Sequence, residues 1–159
     1  MSIIRWTLGR ATCVAGALDI ACAMAEEASR GRSPWIVPKA IASGLLGQAA
    51  FTGGPEVHLL GLALHFSMIY IMASVAFGAA RLFPVIVAHR SLAAIAYGIV
   101  LMMVMRELVV PLSAAPFSLR SDATTLIVSG LSHVVLVALP IVLAASQRHP
   151  VGHHGDGPR

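Results

Sequence analysis

Charge is the scarcest property of this sequence: Asp, Glu, Lys and Arg make up 11% of its 159 residues, against roughly 25% in a soluble globular domain. That depletion excludes an ordinary water-facing surface and places the chain in lipid. Basic runs and arginine–aromatic interleaving are also absent, and the net charge of +4 is spread along the chain, so nothing points to a nucleic-acid partner. Enzyme motifs are missing as well. There is no G-x-S-x-G, no H-E-x-x-H and no glycine loop to cradle phosphate. Ser43-Gly44 and Ser129-Gly130 have no base at a readable spacing, and the chain reads as non-enzymatic, with a membrane-embedded enzyme acting on lipid or quinone as the remaining catalytic alternative. Cysteine is limited to Cys13 and Cys22. On one helix they lie nine residues and about 180° apart, which argues against a bridge and for two small buried hydrophobes.

What is present is hydrophobic length: 57% of the chain is apolar. Four runs are long enough to cross a bilayer, at about 6–28, 57–80, 91–110 and 123–146. The expected fold is all-α, a polytopic membrane protein with four transmembrane helices in one domain, 1–146, followed by a polar, disordered-looking tail, 147–159. Arg5 and Arg10 ahead of Ala21-Cys22-Ala23-Met24-Ala25 imitate a signal peptide, but Asp19 inside the apolar run argues against cleavage. In the first run Thr12, Gly16, Asp19, Ala23 and Glu26 share a small, polar face suited to packing on other helices. In the second, His58, Gly61, His65, Met68 and Met72 share a face. Arg81-Leu82-Phe83-Pro84 closes that run, and the third stops at Pro111. Ser121 or Asp122 is expected to cap the fourth, where Pro140 deprives a carbonyl of its donor and favours a kink.

Between the first two runs lies GRSPWIVPKAIASGLLGQAAFTGGPE, Gly31 to Glu56. Ser33 and Pro34 predict an N-cap and first helical position, and apolar residues at Val37, Ile41, Leu45 and Ala49 keep a helical period. Gly53-Gly54-Pro55 ends it. A helix over about 34–51 is too short to span and too apolar for a loop, so it is expected to lie interfacially or re-enter the membrane. Gly44 and Gly47 leave it one flat side, expected to rest on the outer ends of the spans above His65 and His133.

The segments SPWIVPKAIASGLLGQAAFTGG, LGLALHF, AYGIVLMMVMRELVVPLSAAPF and GLSHVVLVALPIVLAA resemble a group of small, uncharacterised bacterial four-helix inner-membrane proteins. The resemblance runs from about Gly16 to Ala145 and implies the architecture without implying a chemistry. Orientation comes from the connectors. Arg5, Arg10, Arg81, Arg90, Arg148 and Arg159 fall on one side, against Arg30, Arg32, Lys39 and Arg120 on the other, with Arg106 joining these if it snorkels. Both termini are therefore expected in the cytoplasm of a bacterium, with the short helix on the outer face.

At 1.5 Å per residue, His65, His133, Asp19 and Arg106 lie about 12, 15, 13 and 8 Å below the outer ends of their helices. An ionisable group from each helix thus sits in the outer half, where such groups need partners or water. Asp19 with Arg106 is expected as an ion pair joining the first and third spans, with Glu107 close to the interface. His65 and His133 read first as helix-joining hydrogen-bond donors. Their matched depth also permits axial ligation of a b-type haem, and Met68, Met72, Met102 and Met103 permit copper(I). The tail's His149, His153, His154 and Asp156 offer at most a weak metal site. Asp19, His65, Arg106, Glu107 and His133 are thus the expected polar cluster. The leading expectation is an accessory subunit, or a binder or conductor of a small ligand. Its partners are the lipid bilayer and, beyond it, a homo-oligomer or larger membrane complex.

Overall fold

Helix is the only regular structure among the described residues, 2–119 and 122–147 of the computed structural model, with side chains from residue 5 onward. Four helices are long and apolar enough to cross a membrane: α1 (Ser2–Ser29), α3 (Pro55–Leu82), α5 (Arg90–Leu112) and α6 (Ala123–Ser146). Each expected span falls inside its helix. Two shorter helices connect them. α2 (Ile36–Leu46) continues into a 3₁₀ turn, Gly47–Phe51, and α4 (Pro84–Ala88) occupies what was expected to be a plain connector, with Pro84 in its first turn. Of the two expected caps for α6, Asp122 supplies the bond, its side chain accepting from the Thr125 amide at 3.1 Å. Ser121, Arg120 and the segment from 148 onward lie outside the described residues.

The chain is apolar on its outside and small-residued within. Leu59, Ile71, Val75, Leu92, Ile127 and Leu131 are exposed, while Ala15, Ala73, Ala94 and Ala138 are buried. Water does not tolerate that arrangement over four helices; lipid does, and small residues let backbones approach where no hydrophobic drive exists. Serine hydroxyls on these helices satisfy themselves locally. Ser67, Ser74 and Ser146 each donate to the carbonyl four residues back. The main apolar core joins Ala11, Ala15, Ile69, Ala73, Phe77, Leu101, Val137 and Ile141.

Helix crossings are tightest at two glycines. A methyl group on Gly98 of α5 would lie 2.6 Å from the Val134 Cα of α6. One on Gly61 of α3 would lie 2.6 Å from the Pro38 carbonyl carbon of α2. The latter crossing corrects the expected seating of the short helix. Gly44 faces the connector after α5, 3.6 Å from the Ser113 Cβ for an added methyl, and its carbonyl accepts from the Ala114 amide at 2.9 Å. The flat side that allows close approach belongs to α3, not to α2.

Proline sets several element boundaries. α2 begins at Ile36, two residues after the expected start, with the Ile36 and Val37 amides donating to Ser33 and Pro34 carbonyls in i→i+3 turns. A helix begun at Pro34 would ask Pro38 for an N–H that it lacks; starting later puts Pro38 in the first turn, where no donor is needed. Gly47, at φ +58°, then breaks the helix before the expected glycine–glycine–proline stop. α5 and α6 both run through a proline that was expected to end or kink them. In each, a π segment precedes it: Met105–Val109 before Pro111, and His133–Ala138 before Pro140. The Val110 amide donates to Met105 and the Leu139 amide to Val134, both i→i+5. A widened turn lets the ladder step over a residue without a donor.

A side-chain bond joins the second and third long helices. The half-buried Tyr97 hydroxyl donates to the Met72 carbonyl at 2.7 Å. Tyr97→Phe is expected to cost about 1 kcal/mol, read as a lower unfolding midpoint in detergent with unchanged helix content. An unchanged midpoint would show the bond to be replaceable by solvent.

Candidate functional site

α1, α5 and α6 leave a cavity of about 700 Å³ toward the end that carries Ser29, Leu112 and Ala123. Asp19, Cys22, Glu26 and the following Arg30 and Arg32 line it from α1 and its exit, Arg106 from α5, and Thr124, Thr125, Ser129, Ser132 and His133 from α6. Its volume lies in the range of small-molecule sites, though its walls are more polar than most. α2 contributes nothing to it. The rim charges are largely spent on one another: Arg30 meets Glu26 at 2.5 Å and Glu27 at 3.3 Å, and Arg32 also binds Glu27.

Beneath this vestibule lies a second, smaller cavity of about 80 Å³. Its lining is Asp19, His65, Met68, Met72, Met105 and His133, closed by Ile69 and Val137 and covered by Ile41 of α2. Asp19 and His133 line both cavities. They form the partition between a polar vestibule and a small chamber whose far side is the alanine-rich core. The short helix covers this chamber alone, and the expected covered pocket is thus divided into a covered part and an open part.

The polar groups are paired differently from the expectation. Asp19 and Arg106 line the same vestibule, but Asp19 alone of the two also lines the chamber, which it shares with His65 and His133. The Arg106 side chain is 8% exposed and its Nε lies 3.8 Å from the Glu107 carboxylate. Glu107 lines neither cavity and touches the cluster only through Arg106, its side chain being 71% exposed. The cause is rotational: neighbouring residues on a helix point about 100° apart, so Arg106 and Glu107 cannot both face inward.

Both histidines bond to backbone, but only His65 joins two helices. His65 Nε2 donates to the Gly16 carbonyl of α1 at 3.0 Å, and His133 Nδ1 to the Ser129 carbonyl of its own helix at 2.8 Å. A carbonyl only accepts, so the named nitrogen of each imidazole carries a proton, and the other nitrogen is the one turned away from the backbone. Axial haem does not fit between them. The space that both line is about 80 Å³, the share of roughly two or three water molecules. Among the described residues no group of three His, Cys, Asp or Glu side chains is placed to hold a metal. The methionines nearest the histidines are Met68, Met72 and Met105. Met102 is buried in the core and Met103 is 51% exposed, and neither lines the chamber. Met105 shares a face with Met102 at i, i+3, one turn nearer the polar end; spacing found the face and depth chose the residue.

Cys13 and Cys22 are both exposed rather than buried, and Cys22 lines the vestibule. Sequence reasoning missed that role, although Cys22 lies at i+3 from Asp19, on the same helix face. Comparison with family models, curated proteins and solved structures found no match to the chain. The functional reading therefore stands on geometry: an all-helical protein with four membrane-length helices and a polar cavity at one end.

Proposed function

We propose that this is a non-enzymatic, multi-pass protein of a bacterial inner membrane that binds a small polar ligand in its outer half. Both termini lie in the cytoplasm, as the arginine bias favours, and α2 re-enters the membrane from the outer face. Re-entry is supported by the crossing at Gly61, about 9 Å along α3 from its start at Pro55, and by Ile41 reaching the level of His65. The observation that carries the binding reading is the shared wall. Asp19 and His133 line vestibule and chamber alike, so a ligand admitted to the first meets the groups that guard the second. Binding is favoured over conduction because the cavities stop at Ile69 and Val137, above a core of closely packed alanine, phenylalanine and isoleucine.

The vestibule carries its own probe. With Cys13→Ser, Cys22 is the only thiol, and a charged, membrane-impermeant methanethiosulfonate applied to intact spheroplasts is expected to modify it. With Cys22→Ser instead, Cys13 on the lipid side of α1 is expected to stay unmodified. Reaction of Cys22 only in inverted membranes would reverse the orientation. No reaction from either side would mean that the vestibule is not open to water, and the binding reading would fall.

A further inference from the structure

Three helices bring sulfur and imidazole to one small volume. α3 supplies His65, Met68 and Met72, on one face at i, i+3 and i+7; α5 supplies Met105 and α6 supplies His133. Thioethers are weak ligands for hard cations and suit copper(I) and its congeners, and imidazole suits copper as well. The hydrogen bonds leave one nitrogen of each ring for a metal. With His65 Nε2 donating to Gly16 and His133 Nδ1 donating to Ser129, the nitrogens that a metal would take are His65 Nδ1 and His133 Nε2. A backbone carbonyl on the non-ligating N–H is the usual outer support of a metal-bound histidine.

Two independent features agree. Met105 and His133 are the first residues of the two π segments. Such turns re-aim side chains and are frequent at functional sites. Among the described residues, Asp19 is the only carboxylate lining the chamber. With one carboxylate a monovalent cation makes a neutral pair, whereas a divalent ion leaves net charge in the membrane, where it is costly. A chamber of about 80 Å³ suits a dehydrated ion and excludes a large organic ligand.

We propose that the chamber between α3, α5 and α6 binds a soft monovalent cation, copper(I) or silver(I), held by the imidazoles of His65 and His133 and the thioethers of Met68, Met72 and Met105, with Asp19 as counter-charge. This deepens the binding reading by naming the class of ligand, while its test does not depend on access through the vestibule.

The experiment uses the full chain in detergent with Cys13→Ser, Cys22→Ser, His149→Gln, His153→Gln and His154→Gln, so that thiols and C-terminal imidazoles do not compete. Copper(I), kept reduced by ascorbate, is titrated against a chromogenic chelator, with silver(I) in parallel as a probe without redox chemistry. One copper(I) per chain is expected. Met68→Leu with Met72→Leu should weaken it by about tenfold or more without moving the unfolding midpoint of the metal-free protein, since leucine for methionine conserves volume. Met105→Leu, on a different helix, should weaken binding in the same direction, and Met103→Leu should leave it unchanged. Absence of stoichiometric copper(I), equal affinity in the methionine variants, or equally tight zinc would each overturn the site. Copper binding lost while Cys22 still reacts rejects this site alone; copper bound while Cys22 is inert rejects the open vestibule alone.

Discussion

Gly61→Ala is expected to destabilise the protein by about 3 kcal/mol or more, at the upper end of what overpacking costs. The added methyl meets the carbonyl group of Pro38, its carbon at 2.6 Å, and that neighbour is backbone rather than a side chain that can swing aside. Pro38 is itself fully buried in the first turn of α2. Relief therefore requires α2 to lift as a body from α3. The displacement would uncover the chamber over which Ile41 sits. Unfolding in detergent measures the loss, and hydrogen exchange in the outer part of α3 reads the lifting. Gly44→Ala is the matched control. Its methyl would touch Ser113 at an ordinary 3.6 Å, and a change within about 0.5 kcal/mol is expected. Equal effects at the two glycines would show that α2 is a surface anchor with no closure role.

Gly98→Val should be nearly as severe, with a loss of about 2–3 kcal/mol. An added Cβ there lies 2.6 Å from the Val134 Cα and 2.8 Å from its backbone nitrogen. Val134 follows His133 in the π segment, so forcing α5 from α6 also moves an imidazole that lines both cavities. The variant should thus lose stability and, in the copper(I) titration, affinity together. Gly130→Ala, with its methyl 3.6 Å from the Met102 sulfur, provides the mild comparison from the α6 side of the same helix pair. A Gly98 variant no less stable than the Gly130 one would mean that the crossing relaxes freely.

The long helices were legible because they depend on length and apolar content, which a sequence states directly. The level of the polar groups was legible too, since rise per residue converts position into depth. Which groups meet was not. Asp19, His65, Arg106 and His133 stand at comparable depth, and only rotation about each helix axis decides that Asp19 shares the chamber with the two histidines while Arg106 faces the vestibule alone. A periodic reading carries that rotation forward at 3.6 residues per turn, and a π segment breaks the count at Met105 and again at His133. Prolines 111 and 140 held the clue, but as markers of a widened turn before them rather than of a stop or kink. Pro38 likewise explains why α2 starts at Ile36. The thiols were misjudged for another reason: in a protein whose outside is apolar, a small hydrophobe has no need to be inside.

The division between a polar half and an alanine-packed half also has an electrical side. In the proposed orientation, water entering the vestibule would carry the outer potential inward as far as Asp19, and the transmembrane voltage would fall mainly across the core around Ala73, Phe77 and Ile141. A full crossing is worth about 2.3 kcal/mol per elementary charge at 100 mV. A cation held in the chamber sits part-way down that drop, and with the cell interior negative the voltage draws it inward. Occupancy in an energised cell would then exceed that in detergent, through the field alone and with no change in any ligand.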